Sequence, residues 1–136
     1  MNTECSYVAH GMNDATISNV CKSTVISKIT YAAPSWWGFA NIEQKLKLQA
    51  IINKCIKWGF YSKKDPTLNE IIDKNEECLF NKILSNPHHI LHQFLPPQIA
   101  HKYQTRKRRH NLQLPVKQNT LNSKNFMCRL LYKDCF

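Results

Sequence analysis

The chain has 136 residues, of which 43% are hydrophobic, and carries a formal net charge of +10. This length is enough for one compact domain that buries about two-thirds of its unfolded surface. No apolar run approaches the roughly 20 residues of a membrane span, so the sequence predicts no membrane partner. The chain has three glycines, too few for a glycine-rich phosphate loop.

The charge is spread unevenly along the chain. Residues 1–77 contain nine basic and eight acidic residues, whereas the remainder contains ten basic residues and one acid, Asp134. A nearly neutral front followed by a strongly basic segment is typical of a folded body with an arm that binds a polyanion. Nucleic acid is the first candidate for that polyanion, and a solvated basic tail without a partner is the alternative.

The cysteines favour a reduced compartment. They are scattered singly, without a CxxC motif, and the segment from Met1 to His10 lacks the apolar stretch of a secretory signal. We therefore predict a nuclear or cytoplasmic protein that is not secreted, with a disulfide framework or a zinc site as the alternative. The six cysteines are Cys5, Cys21, Cys55, Cys78, Cys128 and Cys135.

The first predicted helix follows a cap at Asn13 or Asp14. Its apolar residues recur every four positions, and Pro34 is expected to end it. An aromatic connection over residues 35–39 comes next, in which the Trp36–Trp37 pair either joins the core or stacks on bases. The apolar residues with this spacing are Ile17, Cys21, Val25 and Ile29.

A second helix is predicted to begin near Asn41, because Asn41 and Gln44 match a capping box. Gly59 is expected to stop it in a left-handed conformation. Its lysines, which include Lys54 and Lys57, lie mostly off the apolar stripe. The residues predicted to face inward are Leu48, Ile51, Ile52, Cys55 and Ile56.

Two more helix starts are predicted further along the chain. Thr67 and Glu70 match a second capping box, and Asn75 with the Glu76–Glu77 pair indicates a new helix start, where negative charge is favourable. Asn86 and Pro87 are expected to end that helix. A short helix over residues 88–95, stopped by Pro96 and Pro97, follows.

Residues 98–124 show no sustained periodicity, and a helical pattern returns at Phe126, Met127, Leu130 and Leu131. We therefore predict an all-α fold: a small bundle of four to five helices, a basic and poorly ordered C-terminal arm, and a short terminal helix. The predicted segments are a helical body over residues 1–97, the arm over 98–124 and the terminal helix over 125–136, which docks on the body.

Catalytic chemistry finds little support in the sequence. The aspartates are isolated, and the one acidic pair, Glu76–Glu77, is explained by a helix start rather than by a metal ion. His88 and His92 are four residues apart, but a zinc site needs a third ligand, such as Cys78 or His101. Packing or solvation of these histidines is the preferred interpretation, and no catalytic residue, metal or cofactor is predicted.

The run from His101 to His110 is the strongest local signal. Consecutive basic side chains stay solvated, neutralise phosphates and release counterions, which gives sequence-independent, salt-sensitive binding. A nuclear localisation signal is a second use of the same run. The residues predicted to bind nucleic acid are Lys54, Lys57, Lys102, Arg106, Lys107, Arg108 and Arg109.

Several blocks of the sequence resemble one known family. The block YAAPSWWGF at residues 31–39 is similar to the Y-A-x-P-x-W-W-G-F block that follows the polymerase core in jockey-like, non-LTR retrotransposon reverse transcriptases. Residues 79–97, 110–115 and 125–134 resemble, in order, later blocks of that family and the close of its reading frame. The resemblance covers the chain from about Tyr7 to Phe136.

The resemblance implies a C-terminal piece of such a polyprotein: a thumb-like helical region and its tail. In the family this region is expected to help hold the template–primer duplex, an RNA–DNA hybrid or DNA. The endonuclease and the polymerase palm, which carries the paired aspartates, lie upstream of it. The resemblance therefore implies a fragment without catalytic residues whose partner is the missing palm. The alternatives are a decayed element without a selected function and a protein-interaction module that uses residues 36–39.

Overall fold

A computed structural model of the chain describes residues 11–100 and 109–133. The predicted all-α class is confirmed: these residues form helices and no strand, apart from an isolated antiparallel bridge between Gln98 and Leu112, and a short helix lies near the end of the chain. No helix in the two described ranges is long and apolar enough to cross a membrane. The α-helices are α1 (Asp14–Cys21), α2 (Ser27–Thr30), α3 (Ala33–Trp36), α4 (Ile42–Lys57), α5 (Leu68–Ser85), α6 (Thr120–Lys124) and α7 (Phe126–Tyr132).

A π-helical turn over Lys22–Ile26 joins α1 to α2 and changes which residues are buried. Hydroxyl groups from Ser23 to Thr30 donate back to carbonyls of the preceding turn, a contact that bends helices. A π-turn adds one residue to the helical repeat. Ile26 is consequently buried in place of the predicted Val25, which is half-buried.

The predicted terminator of the first helix is wrong. The helix ends at Thr30, and Ala32 then adopts a left-handed φ of 48°. Pro34 instead lies in the first turn of α3. Proline is tolerated there, because N–H groups of the first turn make no hydrogen bond within the helix.

The predicted ends of the second helix are confirmed. In α4 the Asn41 side chain accepts from the Gln44 N–H over 2.8 Å, and the Gln44 side chain accepts from the Asn41 N–H over 3.0 Å. Gly59 has a φ of 76° just beyond the helix. Ile52 is buried as predicted, but Ile51 is 42% exposed, so its predicted inward position is wrong. It lies beside the apolar stripe and not within it.

α5 is one continuous helix of 18 residues, so the predicted new start at Asn75 is wrong. Its true start is the predicted capping box, in which the Thr67 N–H donates to Glu70 over 2.8 Å and the Glu70 N–H donates to Thr67 over 3.4 Å. The acidic pair that indicated a new start lies in the middle of the helix. Arg129 and Lys133 pair with these two glutamates there.

The predicted helix over residues 88–95 is also wrong. Only a 3₁₀ turn, His92–Phe94, forms there. The Asn86 side chain accepts the His88 N–H over 3.0 Å, and His89 Nδ1 accepts the Leu91 N–H over 3.1 Å. These local side-chain bonds compete with helical backbone bonds and give a chain of turns.

The chain divides into two compact units. Within the described ranges, the first comprises residues 11–33 and 40–72, and the second comprises residues 34–39, 73–100 and 109–133. These boundaries differ from the predicted ones at residues 97 and 124, because Phe80 of α5 packs with Leu112 and with Leu130 and Leu131 of α7. The division into a functional body, arm and terminal helix stays a prediction.

Candidate nucleic-acid interface

Three lysines of α4 lie on one face of that helix. At 3.6 residues per turn, Lys47, Lys54 and Lys57 project within an arc of about 80°. The buried residues Ile52 and Cys55 lie on the opposite side, which packs inside the first unit. All three lysines are exposed. We call these three residues the lysine face.

No residue in the described ranges forms an ion pair with the lysine face. Glu43 is the only carboxylate in α4. Like charges three residues apart on a helix destabilise it by a few tenths of a kcal/mol. Lys54 and Lys57, in the last turn of α4, nevertheless interact favourably with the helix dipole, and their exposed charges are available to an anion.

The basic run is only partly within the described residues. Lys102, Arg106, Lys107 and Arg108 lie outside them. Arg109 is half-buried: its guanidinium lies 5.5 Å from the centre of the Phe80 ring and 3.8 Å from the Glu77 carboxylate. A long hydrogen bond of 3.5 Å joins it to Asn81. Arg109 is thus engaged within the second unit, and its predicted contact with nucleic acid stays a prediction.

The Glu76–Glu77 pair does not mark a helix start, because both glutamates lie inside α5 and each pairs with a basic side chain. Glu76 is 3% exposed and accepts two hydrogen bonds from the Arg129 guanidinium, of 2.8 and 2.6 Å. Arg129 also donates from Nε to the Lys124 carbonyl over 3.1 Å. Glu77 accepts from Lys133 over 2.7 Å, which lowers the pKa of Glu77, with the nearby charge of Lys133 acting in the same direction. The pair joins α5 to the chain around α7.

No signal in the sequence could have identified this network. The partners of Glu76 and Glu77 lie 53 and 56 residues further along the chain. Arg129 and Lys133 lie on one side of a short amphipathic segment. From the sequence alone, that side is as readily expected to face solvent as to form ion pairs.

The histidine and cysteine candidates do not converge. His92 Nδ1 lies 2.7 Å from the Ile83 carbonyl oxygen. Within the described ranges, no three His, Cys, Asp or Glu residues are placed to hold a metal ion. The cysteines in those ranges are free thiols. Burial raises the pKa of Cys21 to about 11, with a further contribution from Cys55, so Cys21 is a protonated, weakly nucleophilic thiol at neutral pH.

The tryptophans have different environments. Trp37 is 7% exposed and meets Trp36 edge-to-face, with ring centres 5.6 Å apart, which confirms the predicted core role for Trp37. Trp58, which is not among the predicted site residues, is 57% exposed. Its position four residues after Lys54 is the sequence signal that was missed, since that spacing places both on one helix face.

Comparisons of the chain with protein-family models, with curated proteins and with solved structures find no match.

Proposed function

We propose that this chain is a non-catalytic part of a non-LTR retrotransposon RNA-directed DNA polymerase and that it binds template–primer nucleic acid through backbone phosphates. The observation that carries the proposal is the lysine face, an exposed group of three cations without carboxylate partners in the described ranges. The basic run before Arg109 supports it, since it adds cations in the same chain. The sequence blocks described above support the family.

Binding would follow from charge neutralisation. Each lysine that contacts a phosphate releases condensed counterions, so affinity falls as salt rises, with a slope of about −0.9 per contact on B-form DNA. Such contacts do not depend on base sequence, which suits a protein that binds templates of any sequence. The first unit would supply the rigid support, because α4 buries the side opposite its lysines.

The proposal assigns no catalytic step to this chain. Polymerases bind their metal ions through clustered carboxylates, and the sequence has no two adjacent aspartates. Its one acidic pair is neutralised by basic side chains. In a full-length element the polymerase palm would supply the carboxylates and would be the protein partner.

Binding of the purified chain to a labelled RNA–DNA hybrid, measured across a salt series, tests the proposal. We expect micromolar binding with a steep negative salt slope. Lys54→Ala/Lys57→Ala should weaken binding and reduce the slope by about two. Lys74→Ala/Lys82→Ala is the matched control, because it removes the same charge from exposed positions of α5. A folded chain that fails to bind at low salt would refute the proposal and favour a remnant without a selected function.

The basic run needs a separate variant. Arg106→Ala/Lys107→Ala/Arg108→Ala should also weaken binding and flatten the salt slope. Arg109 is left intact, because its contacts with Glu77 and Phe80 make its removal a change in packing as well as in charge. Unchanged affinity and slope would show that the run is not a contact. A protein-interaction module would instead bind a protein partner with little dependence on salt.

A further inference from the structure

Trp58 lies at the end of the lysine face. It caps the C-terminus of α4, one helical turn beyond Lys54 and about 6 Å from it along the axis. A single exposed aromatic side chain is common on protein surfaces and carries no inference on its own. Trp58 differs because the cations beside it have no carboxylate partners in the described ranges.

The backbone around Trp58 is fixed by a Schellman motif. Gly59, with a φ of 76°, donates its N–H to the Ile56 carbonyl over 3.0 Å. The Phe60 N–H donates to the Cys55 carbonyl over 2.8 Å. These are the two bonds that close a helix through a left-handed residue. The Cα–Cβ bond of Trp58 therefore has a defined direction at the helix end.

One neighbour supports the Trp58 ring and leaves much of it in solvent. The Phe60 ring lies 6.0 Å away, centre to centre, at an interplanar angle of 61°. Phe60 is half-buried and Tyr61 is 4% exposed, so the chain turns into the core directly after Trp58. The indole thus packs beside one aromatic ring and keeps more than half of its surface exposed, which leaves it accessible to a stacking base.

We propose that Trp58 stacks on an unpaired base of a nucleic acid whose adjacent phosphates contact Lys54 and Lys57. This inference rests on the proposed function, because the lysines supply the phosphate contacts. It adds a preference for single-stranded over duplex nucleic acid, which phosphate contacts alone do not give. Every base has a π-face, whereas bases inside a duplex are already stacked, so Trp58 selects single-stranded segments without reading their sequence.

The test compares one single-stranded oligonucleotide with a blunt duplex and with an abasic strand, all of equal length. Trp58→Ala should weaken single-strand binding by roughly tenfold, without changing the salt slope. Its duplex and abasic-strand affinities should stay at the wild-type values. Trp58→Phe should restore most of the single-strand affinity, since it keeps an aromatic face. Phe94→Ala removes another exposed aromatic ring and serves as the matched control.

The outcomes separate this inference from the proposed function. If Trp58→Ala binds the single strand as tightly as the wild type while Lys54→Ala/Lys57→Ala binds weakly, the stacking role is refuted and the phosphate role is retained. Equal losses on single strand, duplex and abasic strand also refute stacking, because they show a general effect. If the wild type binds none of the probes, the proposed function fails and the inference fails with it.

Discussion

The sharpest test of the structure concerns two adjacent glutamates that the sequence does not distinguish. Glu76→Gln should destabilise the fold strongly, whereas Glu77→Gln should have little effect. Glu76 is 3% exposed and is held by two hydrogen bonds from Arg129. The Glu77 side chain is 42% exposed and pairs with Lys133 over 2.7 Å and, more weakly, with Arg109 over 3.8 Å.

The magnitude follows from the burial of each pair. Removing one partner of a buried ion pair costs about 3–5 kcal/mol, because the remaining charge is left without compensation. The side chain of Arg129 is 25% exposed and can recover some hydration, so we expect about 2–4 kcal/mol for Glu76→Gln. A pair that keeps as much contact with water as Glu77–Lys133 contributes up to about 1 kcal/mol.

Urea unfolding followed by far-ultraviolet circular dichroism measures both costs. The two variants remove the same charge from neighbouring positions of one helix, so helix propensity and net charge are matched. Glu76→Met/Arg129→Met should recover part of the lost stability, since a buried pair is often replaceable by apolar side chains of similar volume. Equal costs for Glu76→Gln and Glu77→Gln would refute the buried role of Glu76.

Three further changes have expected outcomes that thermal or urea unfolding can check. Gly38→Ala should cost about 1–3 kcal/mol, because a Cβ there would overlap the Lys124 carbonyl oxygen; wild-type stability would contradict that close approach. Gly59→Ala should cost about 1–2 kcal/mol through its positive φ alone, since a Cβ there meets open space. The Lys22 hydrogen bond holds the pKa of Asp65 below its ordinary 3.8. The folded pKa is therefore the lower one, and the pair stabilises the fold above about pH 4 and is lost as pH falls through the folded pKa. Asp65→Asn should accordingly lower the melting temperature at pH 7 and weaken the loss of stability on acidification; identical acid profiles would contradict it.

Local signals in the sequence were sufficient for three of the predicted helix ends. The capping boxes at Asn41 and Thr67 and the left-handed stop at Gly59 depend on residues within four positions of one another, and all three are present. Such motifs satisfy backbone groups by short-range geometry, so they survive in almost any tertiary setting. The all-α class follows from the same local patterns.

The wrong predictions have two kinds of cause: tertiary contacts and competing local hydrogen bonds or turns. The acidic pair in α5 suggested a helix start, but Arg129, 53 residues away from Glu76, makes a charged mid-helix position favourable. Residues 88–95 carry a helical pattern, yet side-chain acceptors at Asn86 and His89 capture backbone N–H groups there. A π-turn moved burial from Val25 to Ile26, which a strict four-residue period cannot anticipate.

The difference between local sequence signals and tertiary contacts also matters for the candidate interface. A count along the sequence assigns nearly all of the net charge to residues after 77, but a cation that already pairs with a carboxylate is less available to an anion. In the second unit, Arg109, Arg129 and Lys133 each face Glu76 or Glu77. In the first unit, which a count makes less basic, the lysine face has no such partner in the described ranges. Lys74 and Lys82 of the second unit are also exposed and without an ion pair in the described ranges, so the matched Lys74→Ala/Lys82→Ala variant tests whether the arrangement of the lysine face, and not unpaired charge alone, determines where a polyanion binds.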